Sequence, residues 1–123
     1  MILIRDVLAS HREWLESDGA RGERAELRNA ILQQADLHDA NLERADLGGV
    51  RLSVADLMRT NLKGADLRGA DLWMSDMKDT ILDGADLRGA NLSEVTRLTR
   101  AQLATAITDE TTRLPDASDP PED

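Results

Sequence analysis

The chain repeats a five-residue period without a break from residue 25 to residue 94. Every fifth residue from Leu27 to Leu92 is leucine, except Met77, and the residue two places before each of them is small. Leucines five apart on an α-helix would turn by roughly 140° per step and cover its whole circumference, so no face could be buried. The period therefore predicts a repeat fold and not packed helices.

A second phase of the repeat marks a corner. Two residues after the central leucine the chain often has glycine, at Gly49, Gly64, Gly69, Gly84 and Gly89. Glycine tolerates the positive φ angles that tight turns often require. Each pentapeptide is therefore predicted to be a short extended piece followed by a turn.

The number of turns per coil follows from a longer period. Residues 62–72 nearly repeat as residues 82–92, an offset of 20. Four pentapeptides per coil predict an all-β, four-sided solenoid, and fourteen repeats make about 3.5 coils with a height of about 17 Å at strand spacing. The predicted core consists of Met77 and two stacked leucine columns, Leu27, Leu47, Leu67, Leu87 and Leu32, Leu52, Leu72, Leu92.

The repeated unit resembles the pentapeptide-repeat family. The resemblance is carried by Ala-Asp/Asn-Leu-x-x units such as residues 35–39, 65–69 and 85–89, and it covers residues 25–94. It implies a right-handed quadrilateral β-helix. Family members include DNA mimics that bind type II topoisomerases, proteins linked to bacterial secretion or cyanobacterial physiology, and many with no known activity. The fold by itself therefore does not determine the function.

The two ends are predicted to be caps, because a solenoid exposes an apolar cross-section at each end. Residues 1–24 form the N-terminal cap and lead-in, with an amphipathic helix over residues 2–17 in which Trp14 covers the first coil and Leu15 lies on the apolar stripe. The lead-in resembles that of some bacterial family members. Residues 95–115 form the C-terminal cap. In it, Thr99 opens a short helix with a capping box, and this helix contains Leu103 and ends near Thr108. Residues 116–123 are acidic and proline-bearing, which predicts a disordered tail.

Composition narrows the classes of function. The net charge is −9, from 24 acidic and 15 basic residues, which disfavours direct nucleic-acid binding. The chain has no cysteine, no transmembrane stretch and no apolar run at its start long enough for a signal peptide, so we expect a cytoplasmic protein that does not bind membranes.

Several large apolar residues fall at positions that the period directs outward. Trp73 and Met74 occupy both exposed positions of one repeat, and Val54 is expected to stack directly below Met74. Met58 and Ile81 lie at outward positions on neighbouring sides. Exposed apolar patches often mark interfaces, and tryptophan is a frequent hot-spot residue, although scattered surface apolar residues are also normal. These five residues are the candidate interface for a protein partner or for a homodimer.

Two columns of carboxylates form a candidate acidic surface. The first contains Glu26, Asp46, Asp66 and Asp86, and the second contains Asp36, Asp56 and Asp76. One interpretation is a mimic of the DNA phosphate backbone, as the family resemblance suggests. The other is that these side chains accept hydrogen bonds from turn backbone and keep the surface solvated. Arginines interleaved with the first column and a short shaft favour the second interpretation.

Nothing in the sequence indicates catalysis. His11 is predicted on the cap helix and His38 on an outer face, neither with an obvious catalytic partner. A filled solenoid also lacks the usual substrate cleft. We expect a non-enzymatic protein-interaction or scaffold module without a metal or cofactor. The alternative is a DNA mimic that binds a type II topoisomerase, such as gyrase, and protects it from inhibitors.

Overall fold

The structure, a computed structural model, describes residues 3–115. It contains two α-helices, α1 at Ile4–Glu16 and α2 at Arg100–Ala104. Between them, β structure consists of single bridged residues separated by turns, and no continuous strand forms within the described residues. The predicted tail at 116–123 lies outside the described residues.

Parallel β-bridges set the register of the repeats. Eleven bridges join residues that are 20 apart, from Glu26 with Asp46 to Asp76 with Thr96. The same offset recurs in the backbone hydrogen bonds, since the Leu47 N–H donates to the Asp66 carbonyl and the Asp66 N–H donates to the Ala45 carbonyl. The chain therefore stacks in coils of 20 residues, each made of four pentapeptides, as the sequence period predicts.

The corners lie at the predicted phase. All fourteen residues two places after a central leucine or Met77 have positive φ, between 56° and 75°. The small residue that follows closes the turn, because its N–H donates to the carbonyl of the central residue, as from Ala70 to Leu67 at 3.0 Å. The turn conformation therefore recurs at every repeat, including those in which a residue other than glycine has to adopt it.

The core is a filled column of central residues and small residues. Leu37 to Leu92 at the central phase, with Met77 among them, have at most 1% of their surface exposed. Leu32 differs from the prediction: it is only half-buried, whereas Leu27, Leu37 and Leu42 of the same coil are at most 3% exposed, so α1 shields the open end of this coil unevenly. Burial of each leucine side chain contributes about 1.5–3 kcal/mol, which allows a chain with 2% aromatic residues to form a stable core.

Helix α1 covers the open end of the first coil. Its residues Ile4, Val7 and Leu8 pack against the core, whereas Trp14 and Leu15 are half-buried and lie outside that contact. The Trp14 ring stacks on the His11 ring, with 5.6 Å between the ring centroids. The Arg44 guanidinium lies over the Trp14 ring, 4.9 Å from its centroid. Trp14 therefore meets the first coil through the Arg44 side chain, while Ile4, Val7 and Leu8 pack against the core.

The helix of the C-terminal cap begins as predicted and ends earlier. Thr99 and Gln102 form a capping box, and the Gln102 side-chain amide donates to the carbonyls of Met77 and Thr80. The predicted helix to Thr108 is wrong, since α2 ends at Ala104. The chain after it returns to the edge of the last coil, where Ile107 bridges Asp86, and a helix could not present the backbone groups needed for that pairing.

Candidate interaction surface

One side of the solenoid collects most of the exposed apolar residues of the coils. We call it the Trp73 side, and it consists of residues 31–34, 51–54, 71–74 and 91–94, which the 20-residue register stacks in four layers. Its exposed apolar residues are Ile31 at 69%, Met74 at 45%, Val54 at 44% and Trp73 at 41%. The register therefore places Val54, Trp73 and Met74, three of the five candidate interface residues, on one surface.

Two of these apolar residues occupy turn positions that disfavour them. Val54 has φ 56° and Met74 has φ 59°. The left-handed region costs about 1–2 kcal/mol for a residue other than glycine and is unusual for a β-branched one. The same conformation recurs at every repeat, so the turn geometry of the coil imposes it on both residues.

The Trp73 side carries one cation, Arg51, and two anions, Asp71 and Glu94. Arg51 and Asp71 bridge neighbouring coils, yet within residues 3–115 neither takes part in an ion pair. One carboxylate oxygen of Asp71 accepts a hydrogen bond from the Trp73 backbone N–H at 3.1 Å, and the Asp71 side chain makes no other within residues 3–115. This side therefore has a cation and an anion that are both available to a partner.

The remaining candidate interface residues lie on other sides. Met58 is half-buried on the side of Asp56, with its Sδ 3.0 Å from an Arg97 guanidinium nitrogen. Ile81 is 42% exposed and stacks on Asn61. Ile31 was not among the predicted interface residues, although its offset of 20 from Arg51 assigns it to the Trp73 side.

The first acidic column is neutralised by arginine. Asp66 accepts hydrogen bonds from the Arg68 side chain, and Arg28 reaches both Asp46 and Asp66 within 3.2 Å. The Arg68 guanidinium lowers the pKa of Asp66 to about 2. Asp86 and Arg88 form the same pair one coil above, at 2.6 Å, while Glu26 at the base of the column is exposed.

The aspartates of both columns also stabilise the turns. A side-chain oxygen of Asp46, Asp56, Asp66, Asp76 or Asp86 accepts the backbone N–H two residues later, at 3.0 to 3.2 Å. Asparagines at the same phase do the same, as Asn61 does for the Lys63 N–H. This is the local hydrogen bonding that makes Asp and Asn common in turns.

In the second column, His38 joins the carboxylates. Asp36 and Asp56 flank His38, and one ligand atom from each of the three lies within 4.8 Å of the others. The hydrogen bond to Asp36 raises the pKa of His38 and lowers the pKa of Asp36. These three side chains could together offer oxygen and nitrogen ligands to a divalent cation. At the top of the column, Asp76 forms an ion pair with Arg97.

The depressions on the surface lie beside the two caps. One is lined by residues of α1 and of the following loop, including Ser10, Trp14 and Glu23. Another lies between α2 and residues 78–83. His11 faces neither, because it is fully buried between Ala25 and Glu43. Neither helix of residues 3–115 has the length and apolar composition of a membrane span.

Comparison with solved structures identifies similar repeat proteins. A pentapeptide repeat protein of the Arabidopsis thaliana thylakoid lumen is 32% identical, with a TM-score of 0.55, over 56% of this chain and 48% of that one. The match thus spans about half the length of that relative. A pentapeptide repeat protein from Nostoc PCC 7120 is 32% identical over 90% of this chain and 86% of that one, with a TM-score of 0.35.

A more distant similarity connects the chain to QnrB1, a plasmid-mediated fluoroquinolone resistance protein. It is 20% identical over 82% of this chain and 69% of that one, with a TM-score of 0.45. No curated protein matches the sequence. The family model of pentapeptide repeats matches eight copies over residues 18–44, 35–73 and 75–107, which is more than half of the chain. The chain therefore belongs to the pentapeptide-repeat family.

Proposed function

We propose that this protein is a non-enzymatic protein-interaction module that binds a protein partner through the Trp73 side. The observation that carries the proposal is the cluster of Val54, Trp73 and Met74 on one face, beside Arg51 and Asp71, which form no ion pair within residues 3–115. Tryptophan and arginine are the residue types enriched at interface hot spots. We also propose the right-handed, four-sided form implied by the family resemblance, and a cytoplasmic location.

Rigidity makes such a face suitable for binding. Every coil of the shaft is joined to the next by bridges on its sides, and the core beneath the face is filled by Leu52 and Leu72, which have no exposed surface. A rigid surface loses little conformational entropy on association, so more of the contact energy remains as affinity. The Trp73 side is therefore suited to bind without rearrangement.

The alternative function, DNA mimicry toward a type II topoisomerase, has less support. Mimicry requires an uncompensated row of negative charge, whereas Arg28, Arg68 and Arg88 pair with the first column of carboxylates. A gyrase supercoiling assay with and without a fluoroquinolone tests it directly. Inhibition or drug protection at micromolar protein would favour mimicry over the Trp73-side proposal.

The proposed interface is tested by capture of partners from the native cell. The full chain is used as bait beside Trp73→Ser and Ile81→Ser, which both remove an exposed apolar side chain, from different sides of the shaft. We expect a partner that the wild type and Ile81→Ser retain and that Trp73→Ser loses. Equal retention by all three baits would contradict the proposal.

A further inference from the structure

We infer that the partner of the Trp73 side is the same side of a second copy of this chain, in a two-fold dimer. The inference rests on the proposed function, since it takes the Trp73 side to be an interface and names its occupant. A two-fold dimer pairs one surface patch with itself, so the patch has to be complementary to its own rotated image.

The rotated image follows directly from the constant register. A two-fold axis that runs along the strand direction, midway between the layers 51–54 and 71–74, exchanges these two layers and also exchanges 31–34 with 91–94. The rotation keeps the position along the strand. Each residue therefore faces the residue that lies 20 places away in the second copy, or 60 places away in the outer layers.

The inner layers are complementary under this rotation. Arg51 faces Asp71 of the second copy, and Asp71 faces Arg51 of the second copy. Trp73, a large side chain, faces the small Ser53, and Val54 faces Met74. The axis thus doubles each favourable pair: two ion pairs, two contacts of a large with a small side chain, and two apolar contacts.

The outer layers add no repulsion. Ile31 and Gln33 face Asn91 and Ser93 of the second copy, and Gln34 faces Glu94, whose carboxylate can accept from the Gln34 amide. The aspartate columns behave differently, since the equivalent rotation would place Asp46 against Asp66 or Asp56 against Asp76. The Trp73 side is therefore the better surface for a chain of net charge −9 to present to its own copy.

The ion pairing supports an intermolecular role for Arg51 and Asp71. Elsewhere on the shaft, arginines such as Arg59 and Arg88 bond to a neighbouring aspartate at 2.6 to 2.7 Å. Arg51 and Asp71 are adjacent through a β-bridge and still form no ion pair within residues 3–115. A second copy would supply the opposite charge that each lacks.

The size of the patch sets the expected affinity. The central leucine of each layer points into the core, so three residues in each of four layers make twelve per copy, below the roughly 20–30 residues of a standard interface. A contact of this size with rigid partners should give a dissociation constant of about 10–100 µM. Sedimentation velocity across this concentration range at low salt should therefore show a shift from monomer to dimer.

Charge exchange provides the decisive test. Arg51→Asp alone places two pairs of carboxylates in opposition, and Asp71→Arg alone places two pairs of guanidinium groups in opposition, so each should weaken the homodimer at least about tenfold. A mixture of the two variants restores both ion pairs in a heterodimer and should associate as the wild type does. Recovery on mixing would not be expected if the variants had merely lost their fold.

Matched variants separate charge and folding effects. Lys63→Asp makes the same change in net charge on another side of the shaft and should leave the dimer unchanged. If Asp71→Arg melts at a much lower temperature, Asp71→Asn replaces it, since the amide oxygen still accepts the Trp73 N–H, and it should weaken the dimer severalfold. In that arm an unchanged dimer would overturn the inference.

Two further results would overturn the dimer. One is a wild type that remains monomeric across the whole range, and the other is a mixture of charge variants that does not associate. Neither would by itself contradict the proposed function. That proposal is tested separately by whether the Trp73→Ser bait loses a heterologous partner that the wild type retains. A wild type that dimerises with the expected response to charge exchange supports both.

Discussion

His11 is predicted to be the side chain that holds helix α1 on the first coil. It is fully buried, and it joins the two elements through both ring nitrogens. The Ala25 N–H donates to Nδ1 at 2.9 Å, so Nδ1 has to be the acceptor, and Nε2 carries the proton that is donated to the Glu43 carbonyl at 2.8 Å. Substitution His11→Ala removes both hydrogen bonds and leaves a cavity.

The expected loss can be worked out from these contacts. The Ala25 N–H is buried and the Glu43 carbonyl is partly buried, and a buried backbone group without a partner costs about 1–3 kcal/mol. Taking about 2 kcal/mol for the first and about 1 for the second gives a loss of about 3 kcal/mol in the free energy of unfolding. A domain of this size has about 5–15 kcal/mol in total, so the loss should be readily measurable.

Urea unfolding at pH 8 measures this loss, with Arg12→Ala as the matched control. Arg12 is the next residue on α1 and is exposed, so its substitution should change the free energy of unfolding by no more than about 0.5 kcal/mol. A loss below about 1 kcal/mol for His11→Ala, or one equal to that of the control, would refute the reasoning.

The same side chain predicts a dependence of stability on pH. Burial lowers the pKa of His11 below its ordinary value, and the charges of Arg24 and Arg44 lower it further, while the Glu43 carbonyl acts in the opposite direction. The neutral ring therefore stabilises the fold fully above a pH of about 6.5, and this contribution is lost as the pH falls through the pKa of the folded state. His11→Ala should lose less stability between pH 8 and pH 5 than the wild type does, and an equal loss would contradict this role.

Three further predictions test the turns and the surface. Gly22→Ala should lower the melting temperature much more than Gly69→Ala. Both sites have φ near 70°, but the added Cβ at Gly22 would lie 2.2 Å from a backbone oxygen of α1, whereas at Gly69 it meets nothing within 4 Å. Equal losses would contradict this. Val54→Asn should raise the free energy of unfolding by about 1 kcal/mol, because asparagine tolerates the left-handed turn. Urea unfolding at a concentration well below the expected dissociation constant of the dimer checks this, and no gain would count against strain at this site. In an NMR titration, His38 should have a pKa above its ordinary value, and Asp36→Asn should bring it back toward that value; a His38 pKa unaffected by the substitution would rule out the pair.

The core and the turns were predictable because they depend on residue type at a fixed spacing. A leucine every five residues has one inward position available, and its small neighbour has the other. The near-identity of residues 62–72 and 82–92 then sets the coil length at 20, which the bridges confirm. The half-buried Leu32 was not predictable from the period, because its exposure depends on how much of the first coil α1 covers.

The candidate surface was predictable only in part. The register assigns Trp73, Met74 and Val54 to one side from sequence alone. Whether an arginine pairs with an aspartate depends on side-chain rotamers and on the next coil. Thus Arg28 reaches two carboxylates, while Arg51, which bridges Asp71, pairs with none within residues 3–115.

The amino-acid sequence by itself determined the coil, its corners and its filled interior, since a strict short period leaves a chain only one way to bury its leucines. The tertiary structure decided the parts without a period. It buries His11 between α1 and the first coil, and it ends α2 at Ala104 so that Ile107 can pair with the last coil. The physical reason is that these contacts satisfy particular backbone groups left open at the ends of the stack, and only the assembled coil specifies where those groups lie.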